Sequence, residues 1–371
     1  MPPALEAAVE TTACGGLAGT ARRLDRRRLV LLAGSGGALV LALVLALSVG
    51  AVAIGVPELL AILVRPFGLD LGVDFGLREE TVLLAIRLPR ALLGLLAGAA
   101  LAISGAALQG LFRNPLADPA LIGVSMGAAL AAVSAIVLGA AVAASLPPQV
   151  RHLLLPAAAF GGGLVATFLV YGIAARDGRT DVSTLLLAGI AVNAIASAGI
   201  GLLIFVSDDQ QLRDLNFWLL GSLGGNSWGR MLPVIPFVLL PLIALPFLAR
   251  HLDALVLGER EALHLGFNVE GTKRLIIVLA AMATGATVAL TGVIGFIGLV
   301  VPHLVRLVAG PNHRTLLPAT ILFGAVLMLI ADLCARLLVL PAELPIGILT
   351  SCIGGPFFIW LLLRRRYLGG W

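Results

Sequence analysis

Long, uninterrupted apolar blocks constrain this chain more than any single motif. They fall near residues 29–56, 88–111, 120–146, 152–175, 184–206, 231–249, 275–291, 293–309, 316–340 and 346–363. A helix needs about 20 apolar residues to cross the hydrocarbon core of a bilayer, and the blocks are of that order. A membrane β-barrel would instead show short segments of alternating polarity. Only 12% of the residues are charged and 60% are hydrophobic, against roughly a quarter charged in soluble domains. The composition predicts an all-α, polytopic membrane protein. The three cysteines, Cys14, Cys334 and Cys352, form no CxxC and have no His partner, so they define neither a disulfide framework nor a metal site. Cys334 and Cys352 lie in apolar blocks and read as small packing residues.

The charge distribution sets the span count. The seventh and eighth blocks meet at the glycine-rich stretch Gly292–Gly298, so the chain has nine spans or ten. With ten spans and a cytoplasmic amino terminus, 17 of the 25 Lys and Arg residues fall on one side, both chain ends included. Arg65, Arg78, Arg87, Arg90, Arg151, Arg213, Arg230 and Arg336 fall on the other. Cytoplasmic loops carry the excess of Lys and Arg, and nine spans would place the Arg364–Arg366 cluster outside. Ten spans with both termini cytoplasmic is therefore the expected topology. The run that follows Arg22, Arg23 and Arg26–Arg28 is too long for a signal-peptide core of about 7–15 residues and reads as a retained first span.

Between the sixth and seventh blocks lies the charged island LGEREALHLGFNVEGTKR, Leu257–Arg274. Gly258 and Gly266 punctuate a helical pattern, which predicts two short helices joined by a glycine turn. Part of the island approaches a phosphate-binding loop, but that motif needs Gly-Lys-Ser/Thr in order so that the lysine meets the phosphates and the hydroxyl meets Mg²⁺. Here the order is Gly271-Thr272-Lys273-Arg274, no β/α pattern surrounds it, and ATP binding is excluded. Two readings remain: a docking helix for a soluble partner, or a solvated loop.

Polar residues at membrane depth mark functional candidates. Arg87 and Arg90 open the second span and share a helix face, as docking groups or as headgroup anchors. Pro115 and Pro119, preceded by Asn114 and Asp118, predict a tight, structured turn. Residues 207–224 predict a short outer helix with an interfacial aromatic pair, Phe217 and Trp218. Asp332 and Arg336 are spaced to pair within the ninth span. His303 stands apart from any nucleophile or ligand. No catalytic constellation is visible.

Four long strings carry a resemblance. These are RLPRALLGLLAGAALAISGAALQGLFRNPLADPALIGVSMGAA, LVLGEREALHLGFN, GVIGFIGLVVPHLVRLVAGPNHRTLLPA and ADLCARLLVLPAELPIGILTSCIGGPFFIWLLLRRR. Over residues 30–366 the chain resembles the FecCD-type permease subunits of ABC importers for iron-siderophores, haem and cobalamin. The resemblance implies a type II ABC importer permease fold. The chain then divides into a cytoplasmic tail (1–28), a ten-span permease domain (29–366) and a carboxyl-terminal tail (367–371). It also implies a homodimer in the bacterial inner membrane, in contact with membrane lipid and with no nucleic acid partner. Two separate ATPase subunits would bind the ATP, and a periplasmic substrate-binding protein would dock outside. The permease itself would hold no cofactor and no metal.

Residue by residue, the resemblance places coupling helices at about 253–268, with Leu257, Gly258, Glu259, Ala262, Leu263, Leu265 and Gly266 meeting the ATPase. It places the cytoplasmic gate and pathway at Val182, Ser183, Thr184 and Asn193, and binding-protein docking at Arg87, Arg90 and Arg336. Residues 207–225 and 354–360 look like the haem and siderophore branch, so haem is the expected cargo, with ferric siderophore next and cobalamin after it. The competing class is a proton-coupled secondary transporter with Asp332 or His303 as relay, which would leave the charged island without a role.

Overall fold

In the computed structural model, residues 28–176, 178–339 and 342–367 are described. The expected tails at 1–27 and 368–371, Cys14 and the arginines that precede the first span lie outside that set, apart from Arg28. Six helices among the described residues are long and apolar enough to cross a membrane. They are α1 (Arg28–Ser48), α2 (Leu77–Leu111), α4 (Leu154–Ala174), α5 (Val182–Phe205), α9 (Val269–Thr291) and α11 (His313–Leu337). A pair bent by 56°, α6 (Ile235–Phe247) and α7 (Ala249–Leu257), makes a seventh. Three further apolar helices occupy the remaining expected spans: α3 (Val124–Leu138), α10 (Ile297–Ala309) and α12 (Ile346–Tyr367). The short helix α8 (Glu259–His264) completes the set. Beside these helices stands one small hairpin, β1 (Ala175–Arg176) paired with β2 (Arg179–Thr180).

Side chains that occupy orphan amides fix where helices begin. The first amides of a helix lack partners within it, and short polar side chains supply them. Asp181 accepts from the Thr184 amide at the start of α5, Asn268 from Gly271 at α9 and Asn312 from Arg314 at α11. Asn114 and Asp118 accept from Leu116 and Ala120, which makes the expected tight turn and leads into the 3₁₀ turn Pro119–Ile122. The outer helix expected within 207–224 is Asp209–Leu219, opened by a reciprocal cap between Asp208 and Gln211. The glycine-rich join between the seventh and eighth blocks is unwound, with Gly292 and Phe296 both at φ 69°.

Helix α2 is the central pole, with 89% of its most apolar window buried, and α6, α9, α10 and α11 pack around it. In lipid the hydrophobic effect does not drive helices together, so close approach through small residues matters more. A Cβ on Gly98 of α2 would run into the Gly324 carbonyl of α11, and one on Gly105 into the Gly298 backbone of α10. Helices α3, α4 and α5 form a second group that joins the first through α9. Helices α1, α4 and α5 are mostly unburied, and Leu187, Ile190 and Ile195 of α5 are among the exposed apolar residues. Cys352 on α12 is exposed, not packed as its apolar block suggested, whereas Cys334 is half-buried.

Candidate functional site

At one end of the molecule α7 and α8 form a ledge. Leu252, Ala254 and Leu255 seat α7, and Ala262 seats α8. Gly258 turns the chain between them at φ 132° and Gly266 ends the turn at φ 84°, a region that favours glycine. The ledge presents Leu257 (65% exposed), Leu263 (59%) and Leu265 (61%) together with Arg260, Glu261 and His264. Exposed leucines amid mixed charge are the composition of a docking surface. Gly258 and Ala262 are buried and shape the ledge without presenting a contact. Asp253 of α7 accepts from both the backbone and the ring Nδ1 of His313, each within 3.0 Å, and so fixes the ledge to α11.

Glu259 differs from its expected role. Its carboxylate is held at 2.7 Å by Nζ of Lys273, a side chain only 2% exposed. The same Nζ donates to Glu270 at 3.0 Å and to the Thr180 carbonyl at 2.9 Å. The sequence shows Lys273 only as one charge in an island. Its one legible partner is Glu270, three residues earlier on the same helix. The Thr180 contact lies 93 residues away and leaves no local signal.

The expected gate lies beside this cluster. Val182, Ser183 and Thr184 form the first turn of α5, where Ser183 is exposed. Asp181 caps the turn, accepting from the Thr184 amide at 2.7 Å and the Thr184 hydroxyl at 2.6 Å. These hydrogen bonds hold the Asp181 carboxyl below its ordinary range, because they favour its charged form. Asn193 does not join this group. It lies about 13 Å further along α5 at 1.5 Å per residue and donates to the Ala120 carbonyl at 3.0 Å, tying α5 to the 3₁₀ turn.

At the opposite end the structure corrects the expected docking arginines. Arg87 is 5% exposed and donates to the carbonyls of Leu47, Ser48 and Val52. Arg336 donates to the carbonyls of Ala46 and Val49 and pairs with Asp332 at 3.1 Å. Arg90 pairs with Asp332 and Glu343, each at 2.9 Å. For Arg87 and Arg336 the recipients are carbonyls at and just after the end of α1, where helical partners run out. All three guanidiniums make contacts within the chain, Arg87 buried and Arg90 and Arg336 half-buried. The exposed cations of that end are Arg65, Arg78, Arg151, Arg213 and Arg230. A cavity of about 800 Å³ opens beside Arg151 and Arg230, lined also by His152, Asp214, Trp218 and Glu343 among others. His303 is buried in α10 with its ring 6.2 Å from that of Phe357. No cluster of three or more metal-ligating side chains occurs among the described residues.

A bundle of apolar helices, with an exposed leucine ledge at one end and a cavity at the other, is the architecture of a membrane permease. The chain belongs to the FecCD transport family, whose sequence profile matches residues 38–364. It is 50% identical over 284 residues to the hemin transport system permease protein HmuU of Yersinia pestis, covering 76% of this chain and 83% of that one. It is 44% identical over 296 residues to the cobalamin import system permease protein BtuC of Halobacterium salinarum, covering 79% and 77%. A solved inward-facing structure, of a protein assigned as a metal-chelate type ABC transporter, superposes with a TM-score of 0.77 at 34% identity. The match covers 90% of this chain and 98% of that one. The chain is thus a multi-pass permease of the ABC importer family that serves haem, cobalamin and siderophores.

Proposed function

We propose that this chain forms the homodimeric translocation pore of a binding-protein-dependent importer in the bacterial inner membrane, and that its cargo is haem. Ferric siderophore is the next candidate. The observation that carries this reading is the polarity of the molecule: a leucine ledge for a motor at one end and a charged, aromatic-lined cavity at the other. The ledge end is cytoplasmic, together with both termini. Separate ATPase subunits seat on Leu257, Leu263 and Leu265, bind the ATP and drive alternating access. Val182, Ser183 and Thr184 line the inner mouth, and Asn193 holds the pathway helix α5 in place. A substrate-binding protein meets the opposite end. Its acidic groups face the exposed Arg151, Arg213 and Arg230 around the cavity, while Arg87, Arg90 and Arg336 hold that surface in shape. The identity to a hemin permease supports the cargo, and His152 and Trp218 suit an iron-bearing aromatic ring.

The proton-coupled alternative needs a carboxylate free to change protonation. Asp332 lies between Arg90 and Arg336, within 3.1 Å of each, so both cations already engage the carboxylate that such a relay would use. The test is uptake by proteoliposomes containing this chain, its ATPase and its binding protein, with haem, a ferric hydroxamate and cobalamin offered in parallel. ATP-dependent haem uptake is expected. Preference for another cargo replaces haem in the reading. Uptake driven by a proton gradient without the ATPase overturns the importer reading altogether.

A further inference from the structure

The ledge and the gate are separate elements, and a residue must carry movement from one to the other. Lys273 sits where they meet. An ammonium group has three donors, and here each has an acceptor from a different piece of the chain. Glu259 Oε2 at 2.7 Å opens the coupling helix α8, Glu270 Oε1 at 3.0 Å lies on α9, and the Thr180 carbonyl at 2.9 Å ends β2. The second oxygen of Glu270 accepts from the Thr180 amide at 2.9 Å. Both backbone polar groups of Thr180 are therefore clasped by α9, and Thr180 itself is 4% exposed. The next residue is Asp181, which caps the Val182–Thr184 turn. A strut of three side chains thus runs from the ledge to the peptide that sets the first turn of α5.

We propose that Lys273 is the joint that transmits displacement of α8 to the gate. The proposal rests on the importer reading above. Burial makes the joint stiff, because breaking one partner of a buried ion pair leaves an uncompensated charge, and such breaks are strongly destabilising. Movement of Glu259 toward or away from the bundle must carry Lys273 or orphan its ammonium, and Lys273 holds Thr180. A purely architectural lysine would need only its own-helix partner Glu270 and a nearby carbonyl. The bond to α8 adds nothing to the packing of α9, yet it is the shortest of the three.

The experiment uses the full chain with its three native cysteines changed to serine and with Ser183→Cys, assembled with its ATPase in proteoliposomes. The readout is the rate of maleimide modification at position 183, nucleotide-free and trapped with ATP and vanadate. In the otherwise native chain the two rates should differ by at least about fivefold, the low end of measured site-to-site couplings. Lys273→Met should keep the ATPase bound and abolish that difference, and Lys273→Arg should restore most of it. A preserved response in Lys273→Met overturns the joint. So does loss of ATPase binding, which would make Lys273 a support of the ledge only. If Lys273→Met does not fold, Glu259→Met, which removes the acceptor on α8 and leaves the Glu270 and Thr180 bonds in place, replaces it, and an undiminished response again overturns the joint. If the native chain binds no ATPase or shows no nucleotide response, the importer reading fails first, and the joint with it.

Discussion

Arg87 shows how far a residue's role depends on what surrounds it. By sequence it is a cation at the mouth of a span, open to a partner. In the fold its guanidinium is spent on three carbonyls at the end of α1. Arg87→Ala should therefore lower the stability of the solubilised chain, by roughly 1–3 kcal/mol for each buried acceptor left without a donor. Thermal unfolding in detergent checks this. Arg230→Ala, on an exposed side chain, should leave the melting temperature unchanged and weaken binding-protein association in a salt-dependent way, as rim charges do. Asp181 gives a pH prediction. Its carboxyl is depressed in the fold below its ordinary 3.8, so its contribution is present above that value and is lost as pH falls through the lower folded value. Protection of the Thr184 amide, its exchange rate relative to that of an unstructured amide at the same pH, should fall in acid. Asp181→Asn, an equally good cap, should remove the acid dependence.

Among elements, the contact between α2 and α11 is the most demanding. Gly98 and Gly324 face each other so closely that either Cβ meets backbone. Gly324→Ala should cost about 1–3 kcal/mol, the usual penalty for overpacking, with reduced melting temperature as the readout. The ledge should behave in the opposite way. Leu263→Asp, on a residue 59% exposed, should leave folding within about 0.5 kcal/mol, as surface changes generally do, and abolish co-purification of the ATPase. The two helices of the ledge were legible because Gly258 and Gly266 interrupt a helical pattern, and the Asp332–Arg336 pair because its spacing is fixed by the helix. The bend between α6 and α7 was not, since residues 231–249 read as one apolar run. Neither were the destinations of Arg87 and Lys273. Backbone carbonyls of a distant element are recipients that carry no side-chain identity, so no pattern in the sequence points to them.

At the scale of the whole molecule, the ten apolar blocks fixed the class of fold, while its length criterion alone reaches seven spans. Helix α10 is short, 13 residues, and follows an unwound, largely buried turn at Gly292–Phe296. Lipid tolerates such backbone only where protein covers it. The proposed topology can be tested directly. In sealed right-side-out vesicles, a protease should spare tags at both termini and should cut them only after permeabilisation. Cleavage of either tag in intact vesicles would invert the assignment of the ledge to the cytoplasm.

The clasp on the end of α1 also bears on the order of biosynthesis. Its carbonyls at Ala46 and Val49 emerge from the ribosome 290 and 287 residues before Arg336, which completes their capping. Until α11 is inserted, the first helix is held at that end by Arg87 and by apolar packing against Leu83 and Ala91, without Arg336. It is therefore the earliest segment to enter the membrane and among the last to be locked into the bundle. A chain arrested before Arg336 should expose the 48–56 connection to protease, and the same connection should become resistant once translation has passed that residue.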